Sequence, residues 1–177
     1  MNTGNYILDK LKPTDANQLF QFISDNNEQL KLFFPVTLEM NSSLEKSAEY
    51  IAIKTKEIEE KTNFTLAIRD NNNQKIVGLM LIKKINWRHK IGEFAYCIGS
   101  EREGKGVTSF AVKEMAKFSF EELGLKTLQI IAHRTNLGSI KVAENNGFVW
   151  QKTLRNEFTP INGSPLDMEL YELYNEK

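Results

Sequence analysis

A chain of 177 residues, 41% hydrophobic and 26% charged, is long enough to bury one sizeable core and is read as a single domain spanning 1–177. Its 23 basic and 23 acidic side chains cancel to zero net charge, which removes any global electrostatic case for binding nucleic acid or an anionic membrane. The one cysteine, Cys97, excludes an internal disulfide framework and fits a reducing, cytoplasmic compartment. The opening MNTGNYILDKLKP has no apolar leader core, and no run approaches the roughly 20 apolar residues that would span a bilayer.

In chain order, residues 6–11 read as a strand, followed by Pro13 in the first turn of a helix carrying Leu19, Phe20, Phe22 and Ile23 on its inner face. LKLFFPV (30–36) reads as an apolar loop ending at a proline. Ser43 is placed to cap a charged helix reaching about Lys61, with Ala48, Ile51, Ala52 and Ile58 inward. Strands over 64–69 and 76–85 flank the turn-rich DNNNQK as a hairpin, and 92–98 follows the WRHK turn as the next strand. A helix over 107–123, with Phe110, Ala111, Met115 and Phe118 on one side, stops at Gly124. A short buried strand over 125–132, a short helix over 139–145 closed by Asn146-Gly147, and strands over 148–154 and 168–173 complete the chain. This order implies an α+β fold with one strand–helix–strand crossover.

The crossover holds the most informative stretch, IGSEREGKGVTSF (98–110), where an apolar strand ends in two closely spaced glycines and enters a helix near Val107. Gly104 and Gly106 let the backbone approach a ligand without Cβ obstruction, and the first free N–H groups of the helix point at it with the positive end of the dipole. That is the make-up of a phosphate cradle, although strand-to-helix turns also carry glycine for conformational reasons alone. His89 and His133 lack metal-ligand spacing to a second His or Cys, so no metal is expected.

Three blocks, GEFAYCIGSEREGKGVTSFAV (92–112), IIAHRTNLGSIKVAENNGF (130–148) and NGSPLDMELYEL (162–173), resemble the GNAT superfamily of acetyl-CoA-dependent N-acetyltransferases. With the helical N-terminal region, the resemblance covers nearly the whole chain. Within the superfamily the chain is similar to the RimJ/RimL branch of ribosomal-protein N-terminal acetyltransferases, where N-x-x-S followed by G-F recurs as Asn136, Ser139, Gly147 and Phe148 do here. The resemblance implies a central mixed, mostly antiparallel twisted sheet of about seven strands with flanking helices. The superfamily's Q/R-x-x-G-x-G/A falls on Glu103 to Thr108, so its first residue is acidic and its last is threonine. Such changes are tolerable if backbone N–H groups hold the phosphates.

By that resemblance acetyl-CoA, as cosubstrate, would be held by Cys97, Ile98, Arg102, Gly104, Lys105, Gly106, Val107, Thr108, Asn136 and Ser139. Acetyl transfer needs a base for the amine, a donor for the oxyanion and a proton for the thiolate. Glu93 is the expected general base, acting directly or through water, and the backbone N–H of Cys97 or Ile98 the oxyanion donor at a splayed or bulged strand end. Many superfamily members place a thiolate-protonating tyrosine where this chain has Ala143, which leaves that role to Ser139. Each residue also has a plainer reading: Glu93 as a solvated strand residue, Ser139 as a helix cap, Asn136 as a turn former. Cys97 reads as a small buried hydrophobe.

The expected activity is acetylation of a primary amine, with a protein or peptide N-terminus, such as that of a ribosomal protein, as acceptor and a polyamine or aminoglycoside as the alternative. A catalytically degenerate CoA-binding module is the second class. Neither nucleic acid nor membrane is expected as a direct partner, and the chain would act as a monomer or homodimer.

Overall fold

The computed structural model of the chain describes residues 2–3, 5–161 and 163–175; Met1, Gly4, Glu176, Lys177 and Asn162 of the tail block lie outside them. After β1 (Asn2–Thr3) and β2 (Tyr6–Lys10), a 3-10 turn at Pro13–Asp15 runs into α1 (Ala16–Asp25). Three more helices follow, α2 (Asn27–Leu30), α3 (Pro35–Glu39) and α4 (Leu44–Glu59), and then strands β3 (Phe64–Asp70), β4 (Ile76–Asn86) and β5 (Ile91–Ile98). A 3-10 turn at Ser100–Arg102 precedes α5 (Val107–Glu121), β6 (Thr127–His133), α6 (Leu137–Asn145), β7 (Val149–Phe158) and β8 (Leu166–Tyr174). The sheet order is β1-β2-β3-β4-β5-β6-β8-β7, so the two-residue β1 extends a seven-stranded, mostly antiparallel sheet of the expected α+β class. The chain divides into two compact units, Met1–Leu81 with Tyr96–Val107 and Ile82–Ala95 with Thr108–Lys177, and both β4 and β5 contribute to each.

In the first unit β2 pairs antiparallel with β3, Leu8 opposite Ile68. Leu19, Ile23, Tyr50, Ile51 and Leu79 form the heart of its core. The 3-10 turn is pinned beneath by a buried ion pair that the sequence pattern did not announce. Arg69 of β3 donates Nη1 to Asp15 Oδ1 at 3.2 Å and Nη2 to Oδ2, and Asp15 Oδ2 also accepts from the Lys12 N–H at 2.7 Å. Both side chains are almost fully buried, so each charge depends on the other.

In the second unit the β5–α5–β6 crossover gives the one parallel ladder among the registers described there, Ile91 opposite Thr127 through Phe94 opposite Ile130. β8 lies antiparallel between β6 and β7, with irregular register along β7. Phe94 and Phe148 pack with ring centroids 6.1 Å apart.

Several expectations need correction. The apolar stretch 30–36 is not a loop: α2 ends at Leu30 and Pro35 opens α3, because proline's fixed φ suits the first helical position as well as it suits a break. Ser43 does cap α4, accepting from the Lys46 N–H at 3.3 Å, but the buried stripe is Ser47, Tyr50, Ile51 and Ile58. Ala48 and Ala52 are exposed. The stripe is out of phase with the expectation because Ser47 and Tyr50 carry polar atoms into the core, which a hydrophobicity pattern skips. Phe20, Phe110 and Phe118 are only half-buried, whereas Ala111 and Met115 are fully buried. The helix expected from Ser139 begins two residues earlier, at Leu137.

Candidate active site

β5 delivers the chain into the glycine junction. Gly99 is fastened to β4 by its N–H donating to the Val77 carbonyl at 2.8 Å, and Ser100–Arg102 then winds one 3-10 turn. Residues 103–106 stand exposed before buried Val107 opens the 15-residue α5. Gly104 and Gly106 have φ of +70° and +74°, and a Cβ added to either would meet nothing within 4 Å. Only glycine enters that region without strain, and the space beside the backbone is open to a ligand. The first-turn N–H groups of α5 begin immediately after, with no acidic side chain in that turn. Free donors, positive dipole end and bare backbone together suit a phosphate or pyrophosphate group.

The side chains around the junction are arranged less as the motif suggested. Arg102 is engaged with Asp70, Nη2 to Oδ2 at 3.0 Å, while Lys105 is exposed. Glu103, the acidic residue at the motif's first position, accepts a hydrogen bond from Gln29 Nε2. Thr108 is half-buried in the first turn of α5. Its neighbour Ser109 accepts from Asn146 Nδ2 at 2.8 Å, which ties the start of α5 to the end of α6. Beside the 3-10 turn runs an open groove of about 700 Å³, lined in part by Asn17, Gln21, Asn26, Lys75, Ser100 and Arg102.

Cys97 and Ile98 close β5. Cys97 is 7% exposed, and burial pushes its thiol from 9.0 up to about 12, so it packs as a hydrophobe. The parallel β5–β6 ladder includes the rungs from Ile91 opposite Thr127 to Phe94 opposite Ile130.

Glu93 is not a solvated strand residue. Its side chain is 8% exposed, with Oε1 2.8 Å from Lys83 Nζ and Oε2 3.0 Å from Lys84 Nζ. Lys84 also reaches Glu157 at 3.7 Å. Burial opposes the charge of Lys84, but its hydrogen bond and Coulombic attraction to Glu93, with Glu157 behind, outweigh burial and hold the ammonium above its usual range. The two lysines were not singled out from sequence; KK at 83–84 two strand ends from a glutamate is signal enough only once the β4–β5 turn is known.

The helix-cap role expected of Ser139 falls to Asn136. Asn136 is the N-cap of α6, its Oδ1 accepting from the Ser139 N–H at 3.1 Å. Ser139 sits in the first turn and is half-buried. Ala143 is fully buried, and its carbonyl accepts from the Phe148 N–H at 3.1 Å. Cys97, Ile98, Arg102 and 104–107 belong to the first unit, and Glu93, Thr108, Asn136 and Ser139 to the second. Within the second unit Glu93 is met by Lys83 and Lys84 of β4.

The family described as Acetyltransferase (GNAT) domain matches residues 5–149. The Bacillus subtilis protein YdaF, provisionally named a ribosomal N-acetyltransferase, is 30% identical over 167 residues, 92% of this chain and 87% of YdaF. The ribosomal-protein-S5-alanine acetyltransferase from Vibrio fischeri superposes with a TM-score of 0.90 at 21% identity, covering 100% of this chain and 97% of that one. The spermidine N-acetyltransferase from Vibrio cholerae, in complex with CoA and spermine, does so with a TM-score of 0.80 at 23% identity, covering 99% and 98%.

Proposed function

Because this chain belongs to the GNAT acetyltransferase family and is an acetyltransferase, we propose that it carries the acetyl group of acetyl-CoA to the α-amine at the N-terminus of a protein or peptide, a ribosomal protein being the class that fits. The observation that carries the cosubstrate is the junction itself, two glycines at positive φ with open space beside them at the head of a long helix. The N–H groups of 104–108 would hold the pyrophosphate, with Lys105 adding charge. We treat residues 1–177 as one catalytic domain, since the family match runs through both compact units.

In the reaction we assign, the neutral amine nitrogen attacks the thioester carbon and the C–S bond of the tetrahedral intermediate breaks. Amide and CoA thiolate result. The backbone N–H of Cys97 or Ile98 donates to the oxyanion. Glu93 takes the amine proton through water, and the Ser139 hydroxyl, with Asn136 providing the helix cap beside it, returns a proton to the thiolate. An N-terminal α-amine, with a pKa of about 7.7–8.0, is substantially uncharged at neutral pH, whereas a lysine ε-amine near 10.4 is not.

A small polyamine is the second reading, favoured by the similarity to the spermidine enzyme. Release of free thiol from acetyl-CoA, compared as kcat/KM for peptides with free N-termini, spermidine, an aminoglycoside and an ε-lysine peptide, decides between them. A preference for peptide N-termini is expected. A more than tenfold preference for spermidine or the aminoglycoside would overturn the peptide reading and leave acetyl transfer intact.

A further inference from the structure

A phosphate cradle at 104–108 works best if the loop entering it already has its bound path, because ordering it on binding would be subtracted from affinity. The loop's own main-chain bonds are local: Arg102 N–H to Gly99 O at 2.8 Å, Glu103 N–H to Ser100 O at 3.3 Å and Lys105 N–H to Arg102 O at 3.4 Å. Three side chains from other elements of the same unit hold it in addition. Asn26, directly after α1, accepts from the Ser100 N–H through Oδ1 at 3.0 Å and donates Nδ2 to the Phe22 carbonyl at 2.8 Å, joining the loop to the helix end. Asp70, buried at the end of β3, meets Arg102 through Oδ2 at 3.0 Å while its Oδ1 accepts from the Asn72 N–H at 3.0 Å. Gln29 of α2 donates Nε2 to Glu103 Oε1. The holds fall at 100, 102 and 103, immediately before Gly104.

We propose that Asn26, Gln29 and Asp70 are positioning residues that preset the phosphate-binding loop, with Arg102 and Glu103 serving the loop's shape. The inference rests on the cradle reading above. It also accounts for an acidic residue at the motif's first position: Glu103 is a handle for Gln29, turned to a use that a phosphate-facing carboxylate could not have.

The test uses the full chain, with CoA titrated calorimetrically and acetyl-CoA varied at saturating acceptor. Asp70→Asn keeps an oxygen for the Asn72 N–H and removes the charge facing Arg102. Its Kd for CoA and KM for acetyl-CoA should rise about tenfold while kcat at saturating acetyl-CoA stays within about twofold. In an Arg102→Gln background the same change should add nothing. Exposed Gln29→Ala should raise both constants about threefold with the melting temperature unchanged. Absence of CoA binding by the wild type would defeat the cradle reading itself. Wild-type binding together with unaltered affinity in folded Asp70→Asn, or an equal loss in the Arg102→Gln background, would overturn the positioning role alone. Should Asp70→Asn not fold, unchanged CoA affinity in both Gln29→Ala and Asn26→Ala overturns it.

Discussion

Glu93 carries the sharpest residue-scale question, because both its oxygens face a lysine ammonium and the proposed reaction asks it to take a proton. If it is the base, Glu93→Gln lowers kcat by about 10²-fold, leaves CoA affinity nearly intact and flattens the acidic limb of the pH–rate profile. Lys84→Met, which frees one oxygen, should keep that limb. An unchanged kcat in Glu93→Gln would leave the glutamate as the partner of Lys83 and Lys84 and move the base elsewhere. At Gly106, replacement by aspartate puts a Cβ at φ +74°, at a cost of about 1–2 kcal/mol, and a negative charge where phosphates would lie. CoA binding should disappear from calorimetry while circular dichroism keeps its folded signature. Retained affinity would place the phosphates away from this turn.

At the scale of elements, α6 separates two roles that the sequence left superposed. Asn136→Ala removes the oxygen that caps the helix and should cost about 1 kcal/mol in thermal unfolding. Ser139→Ala leaves that capping oxygen in place and should slow turnover. Full turnover in Ser139→Ala would mean that the thiolate takes its proton from water. Between β4 and β5, a Cβ on Gly78 would stand 2.5 Å from the Cys97 carbonyl oxygen, a backbone atom that moves only with its strand. Gly78→Ala should therefore destabilise by about 1–3 kcal/mol, read by urea unfolding, and disturb the strand end assigned to the oxyanion. A neutral substitution there would show that the two strands separate at little cost.

For the molecule as a whole, the groups whose pKa is raised share one direction of pH dependence, Cys97 and Tyr50 being the most shifted. Burial raises the Cys97 thiol from 9.0 to about 12 and holds the Tyr50 phenol well above its usual 10.0, so the folded chain keeps both neutral where the unfolded chain ionises. Lys84 adds a smaller part, since its raised ammonium keeps its proton above 10.5 but is largely exposed to solvent. Stability contributed by groups whose folded pKa is raised is complete below the unfolded value and is lost as pH climbs toward the folded one. Urea midpoints should hold level up to about pH 9 and then fall. Cys97→Ala should shift the onset toward pH 10, where Tyr50 begins to act. A midpoint that is flat through pH 11 would contradict the burial of both groups.

Legible from the sequence were the features whose cause is local. Alternation and turn residues specify the β3–β4 hairpin, Ser43 marks the start of α4, and two glycines between a strand and a helix mark the positive-φ junction proposed to hold phosphate, because φ above zero and a helix N-terminus are properties of a few consecutive residues. Pro35 shows where local signals divide: it can end one element or open another, and only the surrounding packing chose the helix. Everything that depends on partners distant in the chain came from the tertiary structure. Asp15 met Arg69 54 positions away, and Gln29 met Glu103 and Asn26 met Ser100 at 74. Glu93 was visible as a carboxylate on a strand, but its burial between two lysines exists only because β4 turns back along β5. Charge and hydrogen-bonding capacity are written in each residue, whereas the group that satisfies them is supplied by the fold.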